Sequence, residues 1–203
     1  MGYGKAARAL AFAVAAAAAG TSASAGTIHG AVRASSLRSL EGVVVYIDRI
    51  PGAVFSPPAA RPIVDQKNLM FVPHVLPVLV GTTVDFHNGE EPSGGRAINH
   101  NIFSPSSTAR FDLGTYGYGL SRSVTFDKPG VVTLLCNVHP EMCAYILVLE
   151  TPYFTLTDRE GSYRLEGVPP GRYVLKAWHP LLRPDSREVV VSGEAGVTFD
   201  LKR

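Results

Sequence analysis

The chain contains 203 residues, of which 20 are Gly and 15 are Pro, and this density of turn-forming residues argues against long helices. A hydrophobic fraction of 46% excludes disorder as the main state of the chain. The formal net charge is +2, from 19 Lys and Arg against 17 Asp and Glu. Lys5 and Arg8 lie in the first 25 residues, which hold no acid, so the remainder carries 17 charges of each sign. A near-neutral chain lacks the basic field expected of a nucleic-acid-binding protein.

The first 25 residues have the layout of a secretory signal peptide. Lys5 and Arg8 form a positively charged N-terminal region, and residues 9–19 are an apolar run of eleven residues. Residues 23–25 supply an Ala-Ser-Ala cleavage site. A membrane anchor is the alternative, but eleven apolar residues are too few to span a bilayer. No later segment is long and apolar enough to do so. We therefore predict cleavage after Ala25 and export of a soluble protein, to the periplasm or otherwise out of the cytoplasm.

The remaining sequence reads almost entirely as short strands separated by Gly and Pro turns. The predicted strands cover residues 43–47, 78–84 (broken at Gly81), 123–126, 131–135, 144–149, 153–157, 162–165, 172–178, 188–191 and 197–201. The Pro-rich stretch 55–62 is predicted to be a linker, and residues 87–96 are predicted to form a polar loop. Short strands at close spacing with such turns predict an all-β protein, either a β-sandwich or a β-barrel.

One predicted loop carries residues that favour metal binding. Cys136, His139 and Met142 have the spacing C-x2-H-x2-M between two predicted strands. A thiolate, an imidazole and a thioether on one tight loop can converge on one cation, and soft sulfur ligands together with imidazole favour copper over zinc. A blue-copper site also needs a second His in its trigonal plane. His100 is the candidate, and His87, at the end of a predicted strand, is the reserve.

Residues 64–150 resemble a cupredoxin, the plastocyanin- and amicyanin-like fold. The shared motifs are the opening paired strands (residues 71–86) and a His-Asn motif (residues 100–103). They are followed by the strand and turn before the Cys (residues 124–130) and a short ligand loop (residues 136–142). The resemblance implies one type 1 copper ion as the cofactor. Its implied ligands are His100, Cys136, His139 and Met142, with Met142 as the weak axial ligand that helps to set the potential.

Asn101 and Asn137, which each follow one of these ligands directly, are candidates to hold the two ligand loops together. Cys143 leaves three alternatives open: a buried thiol in the outgoing strand, a disulfide partner of Cys136, or a second copper ligand. A disulfide would destroy the copper site, and the neighbouring His and Met favour the metal. Glu90 and Glu91 form a small acidic patch, for which a solvated loop is expected and a docking surface is the alternative.

A second resemblance covers both ends of the chain. Residues 157–175 resemble a carboxypeptidase regulatory-like, transthyretin-type β-sandwich, and residues 26–32 with 42–46 resemble its opening strands. The cupredoxin domain would then be inserted in a discontinuous second sandwich; alternatively, the N-terminal strands extend the cupredoxin sheet. The predicted fold class is all-β, a cupredoxin-type Greek-key β-sandwich plus a second, smaller β-sandwich. The predicted divisions are the signal peptide, the N-terminal strands with the linker, the cupredoxin domain and the C-terminal part of the second sandwich: residues 1–25, 26–62, 63–150 and 151–203.

These features predict a one-electron carrier between redox partner proteins, which would dock near His139 because the resemblance implies that this ring edge lies near the surface. A fully ligated copper leaves no open position for a substrate, so no enzyme activity is expected. The first alternative is copper trafficking or storage, although only three Met and six His are present. The second is a carbohydrate- or protein-binding accessory module, and no motif supports carbohydrate binding.

Overall fold

The computed structural model describes residues 25–94, 96 and 98–203, and within these residues it consists of β-strands without any helix. The strands are β1 (Gly26–Arg33), β2 (Val44–Ile47), β3 (Ile63–Lys67), β4 (Met70–Val72), β5 (Val75–Leu79), β6 (Thr82–Asn88), β7 (His100–Ser104), β8 (Phe111–Tyr116), β9 (Ser121–Phe126), β10 (Gly130–Leu135), β11 (Cys143–Leu149), β12 (Phe154–Leu156), β13 (Ser162–Val168), β14 (Gly171–Trp178), β15 (Asp185–Val191) and β16 (Glu194–Asp200). The predicted all-β fold class is confirmed. The predicted signal peptide lies outside the described residues except for Ala25. The described part of the chain offers no helix able to cross a membrane.

Strands β3 to β11 form what we call the central sandwich. Its two sheets have the strand orders β5-β11-β10-β7-β8 and β4-β3-β6-β9. Strand β6 shows why such a sheet forms, since its side chains alternate between buried and half-buried positions from Thr82 to Asn88. The side chains directed inward from both sheets share one apolar core, which includes Val84, Phe86, Ile102 and Leu134.

Strands from both ends of the chain form a second and smaller unit, which we call the terminal sandwich. Its sheets have the orders β13-β1-β16 and β12-β2-β14-β15, and it has its own core around Ile28, Ile47, Leu175 and Phe199. The N-terminal strands β1 and β2 therefore pair with strands of the C-terminal part and not with the central sandwich. The domain boundaries at residues 62 and 150 remain predictions.

The two sandwiches meet across strand β11. Ile146 and Val148 enter the core of the central sandwich, whereas Leu147 and Leu149 pack in a separate cluster with Val44 of the terminal sandwich. This strand is buried on both faces, which explains why its sequence is a continuous apolar run rather than an alternating one. The contact attaches the terminal sandwich to the five-stranded sheet that also carries β7 and β10.

Candidate metal centre

Three strand ends converge at one end of the five-stranded sheet. His100 is the first residue of β7, Cys136 directly follows β10, and Met142 directly precedes β11. Strands β7 and β10 are neighbours in the sheet, with Leu135 paired to Phe103, and β10 and β11 form a hairpin whose connecting loop is residues 136–142. The pairing of these strands brings a residue from a distant segment of the sequence beside that loop.

His100, Cys136 and His139 form a compact group of metal-ligand atoms. The ligand atoms of these three side chains all lie within 4.8 Å of one another. The Nδ1 atoms of His100 and His139 are 3.0 Å apart, with the ring centroids 4.7 Å apart. Since a metal–nitrogen bond measures about 2.0 Å, both nitrogens can contact the same ion. Two imidazole nitrogens and one sulfur fit the in-plane donor set of a blue-copper site.

Met142 lies in the same buried cluster as Cys136. Its side chain is 1% exposed, and its backbone N–H donates to the carbonyl of His139 at 3.0 Å. This hydrogen bond closes a turn in the loop. A buried, weakly polar sulfur beside the group is compatible with the predicted axial position.

A side-chain clamp joins the His100 strand to the Cys136 loop. The Asn101 side chain accepts a hydrogen bond from the backbone N–H of Asn137 at 3.1 Å through Oδ1, and donates to Asp112 at 2.7 Å through Nδ2. Asn101 is buried, whereas Asn137 is exposed and contributes its backbone N–H. Of the two Asn residues expected to hold the ligand loops, Asn101 thus does so with its side chain and Asn137 with its backbone. No feature of the sequence predicts the hydrogen bond between Asn101 and Asp112.

The environment of His100 favours the neutral form of its ring. Burial lowers the pKa of His100, the nearby His139 lowers it further, and Glu90 partly opposes both effects. A neutral imidazole is the form that can offer Nδ1 to a metal ion. Its other nitrogen, Nε2, is buried, has no hydrogen-bond partner among the described residues, and lies 3.7 Å from a carboxylate oxygen of Glu90. The expectation that Glu90 is solvated is wrong, because its side chain is only 13% exposed.

Two other candidates lie outside this group. His87 is on the opposite face of β6 from the buried Phe86, and its Nδ1 is 3.0 Å from the Ser121 hydroxyl, so the reserve residue does not join the other ligands. Cys136 and Cys143 are both free thiols. Cys143 begins β11, and its thiol, together with burial, raises the pKa of the nearby Tyr145 to about 12.

No family model matches this chain, and no curated protein sequence matches it. Among solved structures, it is similar to a Cu-containing nitrite reductase from Thermus scotoductus SA-01, at 28% identity and a TM-score of 0.42, over 52% of this chain and 25% of that one. It is also similar to a reduced amicyanin variant, at 24% identity and a TM-score of 0.39, over 46% of this chain and 91% of the other. A third similar structure is a purple cupredoxin from Nitrosopumilus maritimus, at 21% identity and a TM-score of 0.37, over 43% of this chain and 98% of the other. The match thus spans a quarter of the nitrite reductase and about half of this chain.

Proposed function

We propose that this protein is an exported type 1 copper protein that carries one electron at a time between redox partners and is not an enzyme. One observation carries the proposal: the side chains of His100, Cys136 and His139 converge on a single point from two separate segments of the chain. Two nitrogens and a sulfur, with the Met142 thioether buried alongside, are the donors that copper prefers in its electron-transfer sites.

Each ligand residue has a distinct part in this proposal. Cys136 would supply the thiolate, His100 and His139 two imidazole nitrogens, and Met142 a weakly binding thioether sulfur. A bound copper ion would supply reversible exchange between the Cu(I) and Cu(II) states. The chain contributes rigidity, because His100 is fully buried and the Asn101 clamp ties its strand to the Cys136 loop. Donors that stay in place need little rearrangement when the charge of the site changes.

A partner protein would dock beside His139. Its ring is half-buried, and the adjacent Val138 and Pro140 are exposed. Tyr118 and Leu120 are also exposed, in the loop that follows the strand paired with His100. Exposed apolar residues beside a half-buried imidazole support brief docking close to the proposed copper ligands, and the exposed Glu141 of the same loop adds a negative charge to that surface.

The visible spectrum of the copper-loaded protein tests this proposal. An intense thiolate-to-copper band is expected in the wild type, and Cys136→Ser should abolish it. Cys143→Ser is the matched control, since it removes the other free thiol, and it should retain the band. A colourless protein that holds a full equivalent of copper would contradict the proposal.

Electrochemistry separates electron transfer from copper trafficking. The proposal expects a reversible one-electron wave and retention of Cu(I) in the presence of a competing chelator. Rapid loss of Cu(I) to the chelator without a reversible wave would instead indicate a trafficking or storage protein. Binding of a glycan by the copper-free protein would favour the accessory-module alternative.

A further inference from the structure

The second nitrogen of His100 is buried against a carboxylate. His100 is 0% exposed, and its Nε2 is an unpartnered polar atom within the described chain. The nearest acidic oxygen is Oε2 of Glu90, at 3.7 Å. Once Nδ1 binds a metal, Nε2 must carry the ring proton, and leaving this N–H buried without an acceptor costs about 1–3 kcal/mol. A hydrogen bond between an imidazole and a carboxylate measures about 2.7–2.9 Å, so a displacement of about 1 Å closes it.

One hydrogen bond from another segment holds the Glu90 carboxylate, and a second hydrogen bond holds the Glu90 backbone. The backbone N–H of Leu69 donates to the same Oε2 at 2.9 Å, and the backbone N–H of Glu90 donates to the Asn88 side chain at 3.0 Å. Leu69 and Asn68 form the turn between β3 and β4 with φ values of 57° and 54°, a conformation that non-glycine residues seldom adopt. This turn directs the Leu69 N–H toward the carboxylate. A carboxylate oxygen can accept two hydrogen bonds, so His100 does not have to displace Leu69.

We propose that Glu90 accepts the Nε2–H hydrogen bond of His100 in the copper-loaded protein and thereby lowers the reduction potential of the copper site. The inference rests on the proposed function. Glu90 does not belong to the group of converging ligand atoms, so it is a positioning residue and not a ligand. A carboxylate that faces a metal-binding imidazole fixes the tautomer of the ring and makes it a stronger donor. Its negative charge favours Cu(II) over Cu(I), and a largely buried position leaves that charge poorly screened.

The decisive variant is Glu90→Gln, which keeps the size and the hydrogen-bond acceptor but removes the charge. Partners of metal-binding His residues typically change metal affinity by about 10–100-fold. We expect Cu(II) affinity to fall about tenfold while Cu(I) affinity changes little. A tenfold change in their ratio corresponds to an increase in reduction potential of about 59 mV for a one-electron couple. Glu91→Gln removes the same charge from the adjacent exposed residue and is the matched control.

The experiment measures the reduction potential by spectroelectrochemistry and the Cu(II) and Cu(I) affinities by chelator competition. A larger rise in potential for Glu90→Gln than for Glu91→Gln, with selective loss of Cu(II) affinity, supports the inference; equal effects in both variants overturn it. Glu90→Asp keeps the charge and should retain most of the wild-type potential. If Glu90→Gln does not fold, Glu90→Ala, which also removes the charge, takes its place in the comparison. A wild type without a reversible wave would reject the electron-carrier function, while the two affinities would still decide the role of Glu90.

Discussion

Replacing Asn101 with Ala tests whether the clamp between the two ligand segments stabilises the fold. The change removes the acceptor of the Asn137 N–H and the donor to Asp112. Without its acceptor, the Asn137 N–H is partly buried but can still be reached by water. Without its donor, the Asp112 carboxylate is exposed and can be solvated. Each lost hydrogen bond therefore costs about 1 kcal/mol of unfolding free energy. We therefore expect the copper-free variant to lose about 2 kcal/mol of unfolding free energy. Copper affinity should also fall, by about tenfold, because the Cys136 loop is no longer tied to the His100 strand.

Urea unfolding of the copper-free protein measures this loss. With a slope of about 2 kcal/mol per molar urea, the midpoint should fall by about 1 M. Asn137→Ala is the matched control, because it removes an exposed side chain and keeps the backbone N–H that the clamp uses. Its unfolding free energy should stay within about 0.5 kcal/mol of the wild type, which is a midpoint shift of no more than about 0.25 M. Equal midpoints for the two variants would refute the role assigned to the Asn101 side chain.

Two further predictions concern the terminal sandwich. The buried hydroxyl of Thr157 accepts a hydrogen bond from the Val43 N–H at 3.0 Å. Thr157→Val should therefore lower the unfolding free energy by about 2 kcal/mol, measured by urea unfolding. Thr155→Val, at a half-buried position, is the control and should lower it clearly less. Burial, followed by the charge of His74, lowers the pKa of His179 below its unfolded value of about 6.5. The unfolded chain therefore takes up this proton first, and stability should decline as the pH falls through about 6.5. His179→Gln should flatten that decline, and an unchanged pH dependence of the urea midpoint would contradict the assignment.

The convergence of His100, Cys136 and His139 was accessible from the sequence because much of the chemistry is local, whereas the full ligand set with Met142 stays a prediction. Cys136, His139 and Met142 lie on one loop at a fixed spacing, and such a loop restricts where the fourth ligand can come from. The strands with β-branched apolar runs, such as β10 and β11, were accessible for the same reason. A strand buried on one face has alternating apolar residues, and a strand buried on both faces has a continuous apolar run.

Strands β3, β7 and β8 were not among the predicted strands, and in β3 and β8 the stabilising contacts leave no apolar pattern. Strand β3 buries the polar Gln66, whose amide donates to the Tyr116 hydroxyl at 2.7 Å, so its core position does not look like one in the sequence. Strand β8 is mostly exposed, and Gly114 within it has a φ of 67°. The position of Glu90 could not be predicted either. Only the tertiary structure brings that carboxylate to the buried nitrogen of His100. The polar composition of residues 87–96 instead predicts a solvated loop.

The order in which the strands leave the ribosome has a consequence for how this protein reaches its native state. β1 is the middle strand of its sheet, and both of its neighbours, β13 and β16, are synthesised after the entire central sandwich. Thr27, for example, is paired with Glu194. Contacts between such remote positions form slowly, because a long intervening chain has to be ordered first. The sheet that contains the earliest segment of the described chain therefore cannot be completed until β16 (Glu194–Asp200), and so nearly all of the polypeptide, has been made.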